Sequence, residues 1–310
     1  MIDVHHHITP PGRHSAASMG LWSPTRAVEE MDRNGIEVGI GYPGPILESE
    51  AERNRALARG FNEYGTQLGV DHPGRFGLFA ALPMRDIDAS LMEIAYAIDV
   101  LHADGFGIAT SYGDAWLGDE KFEPIWEELN RRRSVVFVHP QDAPCCTAKT
   151  LTYMKNGFID PSWIEWPMNT ARAIFSLMFS GTLRRYPNIR FIFSHCGGVA
   201  PLLIGRVEGF NAYPKVGPER MKALFPNGVY AEFAKLYFEG AQGFAPQNLE
   251  ALMKLAPPSH IMFGTDYDRF PISHTLEMFN RLDLNPEVRR AIAHENAAML
   301  LSRWDIAERR

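Results

Sequence analysis

The chain opens with Asp3-Val4-His5-His6-His7. In an extended strand alternate side chains share a face, so His5 and His7 point one way, with Asp3 one step deeper. His6 then points to the opposite side, toward any helices packed outside. Two imidazoles side by side at a strand end make half of a metal site. A tag remnant or chance is the competing account, and three histidines inside an apolar strand pattern make a poor tag. His139 ends the run Val135-Val136-Phe137-Val138, and His195 ends Phe193-Ser194 before Cys196-Gly197-Gly198. The two glycines allow close approach of backbone or ligand. Asp266 ends Ile261-Met262-Phe263-Gly264-Thr265. Singly, each is the polar residue that closes many strands. Together, His-x-His, His, His and Asp at four strand ends form a set that suits zinc, with manganese or iron as the other fits.

Side chains so far apart in sequence need a scaffold that gathers strand ends. Short apolar runs alternate with longer amphipathic stretches, the pattern of βα units with parallel strands. Strands are predicted at 1–8, 37–42, 76–83, 105–110, 134–140, 189–196, 235–241 and 260–266. Helical periodicity marks 87–103 (Leu91, Ile94, Ala95, Ile98, Leu101), 120–133 (Phe122, Ile125, Trp126, Leu129), 168–185 and 286–302. Arginines end the second of these and Pro187 follows the third. Eight strands with intervening helices predict an α/β fold, a (β/α)8 barrel in which residues 1–310 form a single domain. Catalysis in such barrels sits at the C-terminal ends of the strands. Residues 9–24 and 141–167 are long for connections. Both follow strands and are expected to cover the active-site face.

Composition narrows the partners. The 310 residues are 45% hydrophobic and 22% charged, which excludes a disordered chain, a collagen-like fibre and a coiled coil. The formal charge is −6, from 31 basic and 37 acidic residues. Arg131-Arg132-Arg133 is the one basic cluster that stands out, so nucleic acid is not an expected partner. No apolar run approaches the length of a transmembrane span, and no basic region precedes an apolar stretch at the start. A cytoplasmic location is expected. Three cysteines fit a reducing compartment, and the adjacency of Cys145 and Cys146 argues against a disulfide between them.

These motifs resemble the amidohydrolase superfamily over essentially the whole chain. The branch they resemble contains aminocarboxymuconate-semialdehyde, gamma-resorcylate and 6-methylsalicylate decarboxylases. The resemblance rests on Ile2-Asp3-Val4-His5-His6-His7 with Pro10-Pro11, and on Asp71-His72-Pro73-Gly74-Arg75-Phe76-Gly77. It rests also on Ser180-Gly181-Thr182-Leu183, Tyr186-Pro187-Asn188, Gly264-Thr265-Asp266-Tyr267 and Glu295-Asn296-Ala297-Ala298. It implies His5, His7, His139 and Asp266 as ligands of one divalent ion, zinc first and manganese second. His195 would be the catalytic histidine, handling a proton or holding a water. Binuclear members carry a lysine near the end of the fourth strand. Here that strand ends Ile108-Ala109-Thr110-Ser111, and no lysine lies between Ala51 and Glu120, which points to a single metal.

The resemblance further implies non-oxidative decarboxylation of a small carboxylic acid, aromatic with an ortho hydroxyl or unsaturated, with Asp266 as proton carrier. A homo-oligomer, dimer or tetramer, is expected on the same ground. One departure stands beside the metal: the family runs from Asp-Tyr into proline, and this chain reads Asp266-Tyr267-Asp268-Arg269-Phe270-Pro271. Arg269 could engage a substrate carboxylate, or Asp268 and Arg269 could pair on the surface. Trp22 in the first long loop and Tyr112 past the fourth strand are candidates to cover an aromatic substrate, with packing as the alternative for both. Trp163 and Trp166 flank Glu165, and packing is their expected role. Glu239 is either an orienting carboxylate or a solvated strand-end residue, and Arg172 either a site arginine or a helix salt bridge. Two other functions stay open: hydrolysis of a lactone, amide or C–C bond by the same ligands acting on water, and metal or acid binding without turnover.

Overall fold

The computed structural model describes residues 1–10, 22–47, 50–147, 149–151, 154 and 159–304. Eight strands form one parallel sheet: β1 (Ile2–His7), β2 (Val38–Tyr42), β3 (Phe76–Ala81), β4 (Gly105–Ala109), β7 (Val135–His139), β8 (Arg190–Phe193), β9 (Tyr237–Glu239) and β10 (Ile261–Met262). A small antiparallel hairpin, β5 (Ser111–Tyr112) with β6 (Ala115–Trp116), stands apart after β4. The ring closes because the chain after β10 returns to β1. Val4 N–H donates to the Phe263 carbonyl (3.0 Å) and Asp266 N–H to the His5 carbonyl (2.8 Å). The fold is a (β/α)8 barrel, as the alternation of elements predicted.

All eight predicted strands are present, with trimmed ends. The last is cut furthest, from 260–266 to two residues, because only Ile261 and Met262 pair in register with β9, while Phe263 and Asp266 beyond them bond to β1. The barrel interior is apolar below its mouth: Val4, Ile40, Tyr42, Phe79, Phe137, Ile192 and Met262 belong to one buried cluster. Gly107 on β4 makes that filling fit, since a Cβ there would lie 2.2 Å from the Tyr42 ring. A second, larger cluster fills the space between sheet and helices.

Strand β1 departs from simple alternation. Asp3 pairs with Gly39 and His6 with Gly41, so three steps on β1 match two on β2. One inserted residue is a β-bulge, and it reverses facing beyond it. Asp3 therefore does not share the face of His5 and His7. Its carboxylate instead accepts from His6 Nδ1 (3.0 Å), Thr265 N–H (2.9 Å) and Thr265 Oγ1 (2.6 Å).

Helices α1 (Pro24–Arg33), α2 (Ala51–Asp71), α3 (Ile87–Asp99), α4 (Glu123–Arg131), α5 (Pro161–Ser180), α6 (Thr182–Arg185) and α7 (Ala200–Glu208) pack outside the sheet. Helix α5 begins seven residues before the predicted 168 and so takes up the end of the expected 141–167 loop. Asp160 caps it by accepting from Ser162 N–H, and Pro161 occupies the first turn, where its missing N–H is no loss. The internal Pro167 reads in sequence as a stop, yet the helix runs through it. The 286–302 stretch is two short helices joined by a π-helical segment, Ala291–Glu295. There the Ile292 carbonyl accepts from Phe263 N–H (2.9 Å), tying the last helix to the ring closure. Cys145 and Cys146 are disulfide-bonded, against the expectation from their adjacency; the turn at 144–147 brings the two side chains together. Most of the expected 9–24 loop lies outside the described residues.

Candidate metal centre

Four buried side chains converge at the C-terminal mouth. His5 and His7 end β1, His139 ends β7, and Asp266 follows β10. One potential ligand atom from each lies within 4.8 Å of the others. His5 Nε2 is 3.3 Å from His7 Nε2 and 3.3 Å from Asp266 Oδ1, and His7 Nε2 is 2.9 Å from Asp266 Oδ1. These candidate ligands are read at strand ends in the sequence, and the closed barrel explains their meeting.

The donor chemistry fits a cation. His5 Nδ1 lies 2.8 Å from Glu239 Oε1 and His139 Nδ1 lies 2.6 Å from the Pro140 carbonyl. Both partners accept, so the proton sits on Nδ1 and, in the neutral ring, Nε2 presents a lone pair inward. His139 Nε2 and Asp266 Oδ1 are buried without a hydrogen-bond partner. Orphaned acceptors facing one another are costly unless a positive charge lies among them. Without metal, a proton supplies part of that charge. Burial acts to lower His5, but the Glu239 and Asp266 carboxylates outweigh it and raise its pKa to about 10. Burial pushes His7 down to about 3 and holds His139 well below the ordinary range. For Asp266 burial raises the pKa, and the charge of His5 with the contact from His195 more than reverses that.

His195 stands at the rim. Its Nε2 is 3.6 Å from Asp266 Oδ2, on the oxygen turned away from His7. Its backbone is left-handed (φ 56°), as is that of Asp266. Glu239 explains how both rings are held. Its Oε1 accepts from His5 Nδ1 and from His195 N–H (2.8 Å each), and its Oε2 from Ala241 N–H (2.6 Å). Fully buried, it is the orienting carboxylate of the two alternatives. The signal in sequence was a lone acid on an otherwise apolar strand.

The other candidates divide. Arg269 donates from one terminal nitrogen to Asp268 Oδ1. The pair is not on the surface, since Asp268 is 3% exposed, and the guanidinium charge bears on His7. Tyr112 is not at the mouth. The hairpin turns it into the outer core, where its ring meets Phe122 and its hydroxyl accepts from Ala109 N–H (3.0 Å). Trp22 packs edge-on against Tyr64 of α2. Trp166, at the start of α5, stands 5.7 Å from the His139 ring and donates to Asp142 (2.8 Å), whereas Trp163 is exposed. Arg172 reaches Asn169 (2.5 Å) and Glu165 (3.7 Å), a pairing within its own helix.

A family model described as amidohydrolase matches residues 2–303. The chain belongs to the amidohydrolase family. This amidohydrolase is 32% identical over 331 residues to a protein named decarboxylase yanB of Aspergillus niger, covering 98% of this chain and 88% of the relative. It is 32% identical over 321 residues to the 6-methylsalicylic acid decarboxylase of Penicillium expansum, covering 97% and 96%. Among solved structures, a dihydroxybenzoic acid decarboxylase from Polaromonas with bound manganese superposes with a TM-score of 0.85 at 22% identity, over 97% of this chain and 96% of that one.

Proposed function

We propose that this amidohydrolase is a metal-dependent carboxy-lyase acting on a small aromatic acid with an ortho hydroxyl. The observation that carries the proposal is a buried three-histidine, one-aspartate cluster beside His195, in a chain whose near-full-length relatives bear decarboxylase names. His5, His7, His139 and Asp266 would hold one divalent ion, zinc first and manganese second. When bound, that ion supplies orientation and charge stabilisation for the carboxylate and ring oxygen of the acid.

The chain's own residues do the rest. Glu239 fixes the tautomer of His5 so that its lone pair faces the site. Asp266 Oδ2 and His195 Nε2 share the rim, where a proton can be held and passed. That proton adds to the ring carbon bearing the carboxylate. The carbon–carbon bond then breaks, its electron pair restores the aromatic ring, and carbon dioxide leaves. Arg269, whose charge bears on His7, is the candidate to meet the acid's carboxylate, and Trp22 is the aromatic candidate on the first loop. A homo-oligomer and a cytoplasmic location complete the proposal. Among the described residues no helix is long and apolar enough to cross a membrane.

The test is carbon dioxide release from a panel of salicylate-like acids by metal-loaded protein in H₂¹⁸O. Carbon dioxide release with a hydrogen on the vacated ring carbon supports the proposal. ¹⁸O incorporated into a product acid, with no such release, would assign hydrolysis instead.

A further inference from the structure

The opposite mouth of the barrel holds a cleft of about 330 Å³ between the starts of β4, β7 and β8 and the end of the last helix. Four arginines line it: Arg132, Arg133, Arg190 and Arg303. In a chain of net charge −6 this is a local concentration of positive charge. Arg132 is committed to Asp99 and Glu128. The Arg133 guanidinium has no partner among the described residues, and Arg190 spends one nitrogen on the Arg133 carbonyl (2.6 Å) while its Nε is buried without an acceptor. Ser134, 7% exposed, lines the same cleft, and its hydroxyl is buried without a partner. The one acid in the lining, Asp104, turns its carboxylate to Leu78 N–H (2.8 Å) and Trp304 Nε1 (2.7 Å) and pairs with Arg303 (3.9 Å), which also donates to the His102 carbonyl (2.9 Å).

Unsatisfied buried polar groups are costly, and here a guanidinium N–H that can only donate and a hydroxyl that can donate lie next to the uncommitted guanidinium charge of Arg133. A forked guanidinium beside a hydroxyl suits a tetrahedral oxyanion. We infer that this cleft binds a phosphate group, either the free ion or a small phosphate monoester, through Arg133, Arg190 and Ser134. Ser134 immediately precedes β7 and the proposed metal ligand His139 ends it, five residues on, about 16 Å at the rise of a β-strand. The two sites are therefore separate.

The test is equilibrium dialysis of inorganic phosphate against the metal-loaded full chain, with chloride holding ionic strength constant. One saturable phosphate per chain is expected. R133M and S134A should each weaken it, R133M by about tenfold or more, the loss of one charge-assisted hydrogen bond. Turnover of the aryl acid should stay unchanged in R133M. A monoester that competes with the ion supports an open site for phosphorylated metabolites, and a monoester that fails to compete supports a site for the free ion. The inference is overturned if binding is not saturable. It is overturned equally if both variants bind phosphate as the parent does and that phosphate competes with substrate, which would place the anion at the metal.

Discussion

Glu239→Gln tests the carboxylate that orients His5 without replacing any candidate ligand. The carboxylate takes three donors: His5 Nδ1 and His195 N–H on Oε1, Ala241 N–H on Oε2. Glutamine keeps the shape but offers one acceptor oxygen and one NH₂. With the oxygen toward His5, the NH₂ meets the Ala241 N–H, 2.6 Å from that position. Flipped, it meets two donors. Either way a buried donor goes unpaired, at a cost of about 1–3 kcal/mol. The negative charge that raises His5 is lost as well. We expect metal affinity to fall about 10- to 100-fold, the range for removing a carboxylate that orients a histidine ligand. Competition against a chromophoric chelator measures it, with turnover remeasured at saturating metal. Metal affinity within twofold of the parent, with unchanged turnover, would refute the account of Glu239. Gly264→Ala probes the same contact from outside, because its Cβ would fall 2.1 Å from Glu239 Oε2. It should reproduce the loss.

His195→Asn should keep metal and lose about 10²- to 10⁴-fold in turnover, the usual share of a positioned acid–base group; loss of metal instead would make His195 a ligand. Asp266→Asn should weaken both metal binding and turnover, and near-normal turnover would remove Asp266 as proton carrier. The metal-free protein should be most stable near neutrality. His5, raised to about 10, contributes stability that is complete below its unfolded value near 6.5 and is lost as pH rises through about 10. His7, lowered to about 3, contributes stability present above 6.5 and lost as pH falls toward 3. Melting temperatures of chelator-treated protein across pH 4–10.5 check both limbs, and a flat profile contradicts them. Gly107→Ala should destabilise the fold by about 1–3 kcal/mol through overpacking against Tyr42, measured by urea unfolding.

The barrel was legible because most of its strands are nearly unbroken apolar runs, as strands buried on both faces must be, and its candidate metal ligands are polar residues at strand ends. Long-range pairing was not written so plainly. The bulge in β1 inserts a residue with no turn signal, and it moves Asp3 away from the His5 and His7 face to Thr265 and His6. Helix α5 starts seven residues earlier than the predicted 168, because its start is set by the Asp160 cap and Pro161. Of the two roles open for Tyr112 the structure shows packing, and the two-residue strands of its hairpin leave no periodicity from which to read that in sequence. Glu239 could be suspected from its strand but assigned only once the closed barrel brought β9, two strands from β1, within reach of His5.

Two of the residues nearest the chemistry hold backbone conformations that side-chain-bearing residues rarely adopt: His195 at φ 56° and Asp266 at φ 61°. Such conformations cost about 1–3 kcal/mol each and persist when their surroundings over-determine them. Here the surroundings do. Asp266 N–H donates to the His5 carbonyl (2.8 Å), and the Asp266 carbonyl accepts from Arg269 N–H (2.8 Å). His195 N–H is held by Glu239. Each restraint leads to a group that also shapes the candidate metal cluster: His5 as a proposed ligand, Glu239 as its hydrogen-bonded anchor. The closure of the ring, the left-handed turn that ends β10 and the direction of the Asp266 carboxylate are thus one structural event. The same bonds that let the eighth strand meet the first also aim the carboxylate at His7 on one oxygen and at His195 on the other.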